Sequence, residues 1–253
     1  MPSPLQIFPI PGIPEIREGD DLAACIIAAA AESNYSLQSG DVVVLAQKIV
    51  SKAEGRRVRL DSVTPTARAM NIAAVCGKDP RLVELVLSES DEVVRCAPDV
   101  LIVRHRIGFT VANAGIDQSN VDGTDECALL LPKDPDQSAA ILQTRLSEAA
   151  RGPIGVVIND SFGRPWRRGT CGIALGCAGV EALADLRGIP DRFGRILRTS
   201  EVATADEIAA AASLAMGQAA EGRPAVIVRG LPVFERARPA ADLIRPRDQD
   251  LFK

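Results

Sequence analysis

Histidine, tryptophan and tyrosine each occur once in the 253 residues, and lysine five times. The lone histidine excludes any multi-histidine metal site, and His105, set in Arg104-His105-Arg106 between apolar stretches, reads as a structural side chain. One Trp, one Tyr and six Phe leave few rings to stack on bases, and a net charge of −4 disfavours a phosphate-backbone partner. No nucleic-acid partner is expected. The longest apolar run, Leu22 to Ala31, falls short of the ~20 residues a bilayer-spanning helix needs, so no membrane partner is expected either. No basic residue precedes Arg17, which speaks against an export signal and for a cytoplasmic protein. The six cysteines (25, 76, 96, 127, 171, 177) form no CxxC and no metal-finger spacing, so they are expected to be reduced, small and buried. Neither GxxxxGK[ST] nor GxGxxG occurs, which removes both standard phosphate-cradling loops. Any chemistry must rest on carboxylates, arginines, lysines and hydroxyls.

Hydrophobic residues at 47% and charged residues at 25% are those of an ordinary globular chain, long enough for one large domain or two small interlocked ones. Leu5-Gln6-Ile7-Phe8 reads as a strand, followed by an alanine-rich helix opened by Asp20 and Asp21. Val42-Val43-Val44-Leu45-Ala46 is a β-branched run suited to a buried strand. Two helices are predicted next, capped by Thr64 before Pro65 and by Asp79 before Pro80. Between Glu92 and Ala112, short apolar segments separated by turns predict an antiparallel meander. Gly155-Val156-Val157-Ile158 is another buried strand, Thr204-Ala205-Asp206-Glu207 has the form of a capping box for a helix to about Gln218, and Ala225-Val226-Ile227-Val228 is a closing strand. The pattern is that of a single domain over 1–253 mixing helices and strands, with no repeat and no visible internal boundary.

Lys48 and Lys52 follow the Val42 strand directly, and if that strand continues, their even spacing places both ammonium groups on one face. Arg164, Arg167 and Arg168 lie within eight residues of Asp160, where they could grip phosphate or carboxylate. The glycine run Gly169, Gly172, Gly176, Gly179 serves either close approach to a ligand or tight backbone packing. Two acidic segments stand after strands: Asn113-Ala114-Gly115-Ile116-Asp117 with Ser119-Asn120, and Asn159-Asp160-Ser161. Each alone could be a turn with Asx hydrogen bonding. Two carboxylates about 4 Å apart repel by about 4 kcal/mol at an effective dielectric of 20, and a divalent cation reverses that sign. Oxygen-only donors favour Mg²⁺ or Mn²⁺.

Several stretches, in order along the chain, form a known set: Gly12-Ile13-Pro14, Glu18-Gly19-Asp20-Asp21-Leu22, Gly40-Asp41-Val42-Val43-Val44, Val50-Ser51-Lys52-Ala53-Glu54-Gly55-Arg56, Asn113 to Asp117 with Ser119-Asn120-Val121, Leu130-Leu131-Pro132, Phe162-Gly163-Arg164, Ala205-Asp206-Glu207-Ile208-Ala209 and Val228-Arg229-Gly230. In these the chain resembles the coenzyme F-420-0:γ-glutamyl ligase family over nearly its whole length. The resemblance implies an α+β γ-glutamyl-ligase-like fold of two interlocked subdomains and a homodimer. It also implies a GTP-dependent ligase joining L-glutamate to the phospholactyl arm of a deazaflavin coenzyme, with Mn²⁺ or Mg²⁺ and a monovalent cation such as K⁺. Carried over by motif, Gly12, Ile13, Pro14, Glu15, Gln47, Lys52 and Asn120 would line the nucleotide, and Asp117, Asp160, Ser161 and Gln218 would hold the metals. Lys52 and Arg164 are the candidates for stabilising charge during transfer. The same residues leave three other readings open: ligation to a different acceptor, a metal-dependent phosphohydrolase, and a non-catalytic nucleotide-binding module.

Overall fold

The computed structural model describes residues 4–33, 35–118, 126–232, 234 and 236–250. In chain order the elements are β1 (Gln6–Pro9), α1 (Leu22–Glu32), β2 (Val42–Ala46), α2 (Gln47–Ala53), β3 (Arg57–Arg59), α3 (Ala67–Cys76), α4 (Pro80–Ser88), β4 (Ser90–Ala97), β5 (Val100–His105) and β6 (Thr110–Ala112). There follow β7 (Cys127–Leu129), α5 (Pro135–Ala150), β8 (Gly155–Arg164), β9 (Arg167–Ala178), β10 (Ala184–Asp185), β11 (Glu201–Val202), α6 (Thr204–Met216) and β12 (Ala225–Arg229). The α+β class is that expected. No described helix is long and apolar enough to cross a membrane.

A five-stranded mixed sheet ordered β1-β12-β2-β8-β9 forms the centre, antiparallel except where β2 runs parallel to β8. The Val42 run is continuous in apolar character because both its faces are covered. Val43 and Leu45 face the core shared with α1 and α5, while Val42 and Val44 face the core shared with α6. A third core gathers α3, α4 and β5 with Ala114, Ile116, Ala128 and Leu130. There β4, β5 and β6 make the expected meander.

Helix starts show where local signals compete with tertiary contacts. Asp21 caps α1 through Ala24 N, and Asp79 caps α4 ahead of Pro80, both as expected. Thr64 does not cap α3: Thr66 does, because Glu84 of α4 accepts from both the Thr66 amide and hydroxyl and keeps the chain extended through Pro65. The capping box at Thr204 is also absent. Thr204 is already the first helical residue, and Asp206 turns away to accept from Ala174 N of β9 at 2.8 Å. That helix stops at Met216 because Gly217 leaves it at φ 77°, so Gln218 lies beyond it.

Gly172, Gly176 and Gly179 of the glycine run are packing devices, whereas Gly169 faces open space. A Cβ at Gly172 would meet Ser213 and the Ala209 carbonyl of α6, and one at Gly176 would meet the Pro135 backbone opening α5, so both helices approach β9 where side chains are missing. Asp41, 1% exposed, receives two hydrogen bonds from Arg229 at 2.7 and 2.8 Å and one from Gln38 N, joining the start of β2 to the end of β12. Arg229→Met would leave a buried carboxylate without its cation, and denaturant unfolding should show a loss of about 3–5 kcal/mol. A loss under about 1 kcal/mol, the range of surface pairs, would show the pair to be ornamental.

Candidate active site

The parallel pairing of β2 with β8 ends where Ala46 lies beside Asn159. One residue later β2 turns into α2 at Gln47, while β8 runs on through Asp160. The expectation that the strand continues to Lys52 is therefore corrected: β2 stops at Ala46, and Lys48 and Lys52 ride on α2. A helix also places residues i and i+4 on one side, so the two ammonium groups still share a face. Lys48 Nζ lies 3.4 Å from Asp117 Oδ2, and Lys52 Nζ lies 2.5 Å from Glu15 Oε1.

Asp117 reaches this place from the third core. Asn113, Ala114 and Gly115 form a short left-handed turn with φ of 51°, 54° and 67°, and Ala114 in its middle is fully buried. A buried alanine held at positive φ is strained, and here the turn sets the direction in which Asp117 emerges. A backbone bridge in both directions with Leu129 then pins Asp117. Its carboxylate accepts from Gln47 Nε2 at 3.0 Å, and Ser51 Oγ holds the other end of that amide at 2.9 Å from Gln47 Oε1. Gln47 is thus 1% exposed and committed to orienting Asp117.

Burial pushes the Asp117 carboxyl above the usual carboxylate range despite Lys48 and Gln47. Asp160 is pushed up to about 7 by burial and then by the charge of Asp117, against the Ser161 amide and Lys48. Two carboxylates from distant segments thus share one poorly solvated place and raise each other's affinity for a positive charge. Among the described residues no three His, Cys, Asp or Glu side chains gather as a metal cluster. A cation here would take two carboxylates and fill its shell with neutral oxygens and ligand phosphates, a donor set that fits Mg²⁺ or Mn²⁺.

The other expected residues are spread around this pair. Asp160 stands opposite Ile173, which packs on the core under α1 and α5, whereas Ser161 stands opposite Gly172, which packs on α6. Consecutive strand residues point to opposite faces, so Asp160 and Ser161 serve two sides of the hairpin. Gln218, exposed, lies on the Ser161 side, two residues beyond Met216, whose sulfur meets Asn159. Gly12, Ile13, Pro14 and Glu15 form a loop joined to the far end of α2 by the Glu15–Lys52 pair, with Ile13 tucked against the core. Arg164 closes the β8–β9 hairpin opposite Arg167, and its Nη1 is enclosed without a hydrogen-bond partner. Asn120 lies outside the described residues.

The F420-0:Gamma-glutamyl ligase family model matches residues 12–230. The chain belongs to this family. It is 46% identical over 251 residues to the Coenzyme F420:L-glutamate ligase of Methanothermobacter thermautotrophicus, covering 98% of this chain and 99% of that one. The enzyme of the same name from Methanopyrus kandleri is 46% identical over 253 residues, at 98% of each chain, and that from Archaeoglobus fulgidus 43% over 250 residues, at 98% and 96%.

Within this γ-glutamyl ligase family member the matching stretches divide by role. Gly40-Asp41 and Val228-Arg229-Gly230 meet as the buried Asp41–Arg229 pair. The Val50–Arg56 stretch carries Lys52 and also Arg56, which the sequence reading passed over. Arg56 donates to Leu131 O at 2.8 Å and to Glu89 Oε2 at 2.7 Å, tying the end of α2 to the strand that pins Asp117. Glu89 gives no local signal because its partners lie 16 to 33 positions away in the sequence.

Proposed function

We propose that this chain forms an amide between L-glutamate and the phospholactyl carboxylate of F420-0, then extends the product with further γ-linked glutamate, at the expense of GTP and with Mn²⁺ or Mg²⁺. Two lines support this: the family and its relatives carry the ligase name, and Asp117 and Asp160 form a half-buried pair whose mutual repulsion a cation would relieve. The acidic pair carries the reading, because a module that only bound a nucleotide would gain nothing from two carboxylates whose mutual repulsion weakens the fold.

A divalent ion on this pair supplies charge neutralisation to the nucleotide's phosphates. Asp117 and Asp160 would hold it from their face of the hairpin, and Ser161 and Gln218, on the other face, would offer neutral oxygens only to a separate ion there. Lys48 and Gln47 keep Asp117 oriented. The acceptor carboxylate attacks the γ-phosphorus, giving an acyl phosphate and GDP, and the glutamate amine then displaces inorganic phosphate. Lys52, released from Glu15 when phosphate arrives, and Arg164, with its enclosed unbonded Nη1, stabilise the transferring charge. Gly12 to Glu15 and Asn120 line the nucleotide with Gln47 behind them. No cysteine or serine is needed as nucleophile, since positioning and electrostatics supply most of the rate in such transfers. The family resemblance extends the reading to a K⁺ ion, to a homodimer, and to the third core as a smaller subdomain interlocked with the main sheet.

An acceptor carrying oxygen-18 in its carboxylate should pass one label to inorganic phosphate during ligation. Label in GMP or pyrophosphate would mean nucleotidyl transfer, and GDP release independent of the amine would mean a phosphohydrolase.

A further inference from the structure

Against the edge of β9 lies a cavity of ≈ 280 Å³ whose lining includes Arg104, Phe109, Thr110, Ile173, Asp206 and Arg245. Its size is at the low end for ligand pockets and suits a small metabolite better than a nucleotide. Two of its charged groups are poorly satisfied. The Arg104 side chain is only 16% exposed, yet the nearest carboxylates, Glu92 and Asp250, stand 3.9 and 3.8 Å away, and its Nε is enclosed with no hydrogen-bond partner. Asp206 accepts from Ala174 N through Oδ1 and has no cation among its described partners; burial holds its carboxyl above the usual range. These opposite charges line one cavity without pairing to each other. The remaining ionic groups, Arg245 and Asp250, add one charge of each sign. A cavity with no net charge and two carboxylates repels a polyanion, whereas it matches a molecule carrying both charges on a short skeleton.

We propose that this cavity binds an α-amino acid, its carboxylate on Arg104 and its ammonium on Asp206, with Phe109 and Ile173 against its methylenes. Resting on the ligase reading above, the occupant is the amine substrate L-glutamate, whose second carboxylate meets Arg245. The position supports this. Ile173 is the cross-strand partner of Asp160, so the cavity wall and the acidic pair occupy adjacent strands, about 5 Å apart from Cα to Cα. Gly108 has no room for a Cβ because Ile244 sits over it, which brings the Leu243–Arg245 segment down as the cavity's outer wall.

Calorimetric titration of the full chain with L-glutamate, with and without Mn²⁺ and a non-hydrolysable GTP analogue, tests the proposal directly. Asp206→Asn keeps the acceptor for Ala174 N, and Arg245→Gln lies on an exposed segment, so neither should disturb folding. Arg104→Gln and Asp206→Asn should each weaken L-glutamate about tenfold or more, Arg245→Gln less, and none should change affinity for the GTP analogue. Glutarate, which lacks the ammonium, should bind wild type as weakly as L-glutamate binds Asp206→Asn. Unchanged L-glutamate affinity in Arg104→Gln and Asp206→Asn, equal binding of glutarate, or no amino-acid binding to wild type in either condition would overturn the site. If wild type binds L-glutamate here yet forms no amide, the cavity stands and the ligase reading fails.

Discussion

Asp160→Asn is expected to abolish ligation and, in the presence of a chelator near pH 8, to melt at a higher temperature than wild type. Both effects come from one feature, a carboxyl pushed up to about 7 in a place it shares with Asp117. In the unfolded chain the same carboxyl titrates near 3.9. Between those values the unfolded state releases its proton while the folded state keeps it, so metal-free wild type loses stability as pH rises from about 4 to about 7. A shift of about three units amounts to about 4 kcal/mol at most, and partial solvent access reduces it to about 2–4 kcal/mol. The asparagine variant removes that slope while its side-chain oxygen still accepts from Ser161 N. Its melting advantage should be about 5–10 °C near pH 8 and should shrink near pH 5. Mn²⁺ should raise the melting point of wild type and leave the variant unmoved. Asp117→Asn should likewise lose ligation and metal binding. A metal-free Asp160→Asn protein less stable than wild type at pH 8 would make Asp160 a structural residue and remove the main support for a cation at this site.

Strands β1, β2, β4, β5, β6, β8 and β12 and helices α1, α3, α4 and α6 were legible in the sequence because their cues are local. The longest strand, β9, and the longest helix, α5, were not. Val42–Ala46 could be nothing but a buried strand, and Asp79-Pro80 could open only a helix. What could not be read was decided by distant groups. The cap of α3 moved from Thr64 to Thr66 because of Glu84, and α6 starts with Ala203 at its N-cap, so the Thr204–Glu207 box does not form. The two acidic segments were visible as sites of chemistry, but their meeting depends on a left-handed turn at Ala114 that no residue type announces, since alanine rarely adopts it. The opposite facing of Asp160 and Ser161 follows from period-two alternation once the strand is known to run past Ile158. Asn159-Asp160-Ser161 reads from sequence alone as a turn after the strand, which hides the alternation.

Glu89→Gln should cost as much stability as breaking the Asp41–Arg229 pair. Glu89 is 5% exposed and its Oε2 is approached by Arg56 at 2.7 Å, Arg106 at 2.9 Å and His105 Nε2 at 3.5 Å. The Ile107 amide donates to His105 Nδ1 at 3.1 Å, which places the imidazole proton on Nε2, facing Glu89, in the neutral ring. The single histidine is therefore structural, buried with Nε2 3.5 Å from Glu89, as its setting in the sequence suggested. Burial pushes the Glu89 carboxyl up, but His105, Arg56 and Arg106 together outweigh it and hold it below its ordinary value. A depressed carboxylate stabilises the fold above its unfolded pKa and loses that contribution as pH falls through its folded one. Wild type should therefore weaken in acid below about pH 4.3, the unfolded value for glutamate. Glu89→Gln leaves two guanidinium groups facing each other with no anion, and the loss at neutral pH should be about 3–5 kcal/mol. The variant should also lose this share of the acid dependence, so that its deficit narrows as pH falls. Because Arg56 couples Glu89 to Leu131 and the strand pinning Asp117, Mn²⁺ affinity should drop in Glu89→Gln even where the protein remains folded. Unimpaired Mn²⁺ affinity in a folded, destabilised variant would confine Glu89 to holding the third core together. A deficit that stayed constant from neutral pH into acid would show that the carboxylate's charge has no part in it.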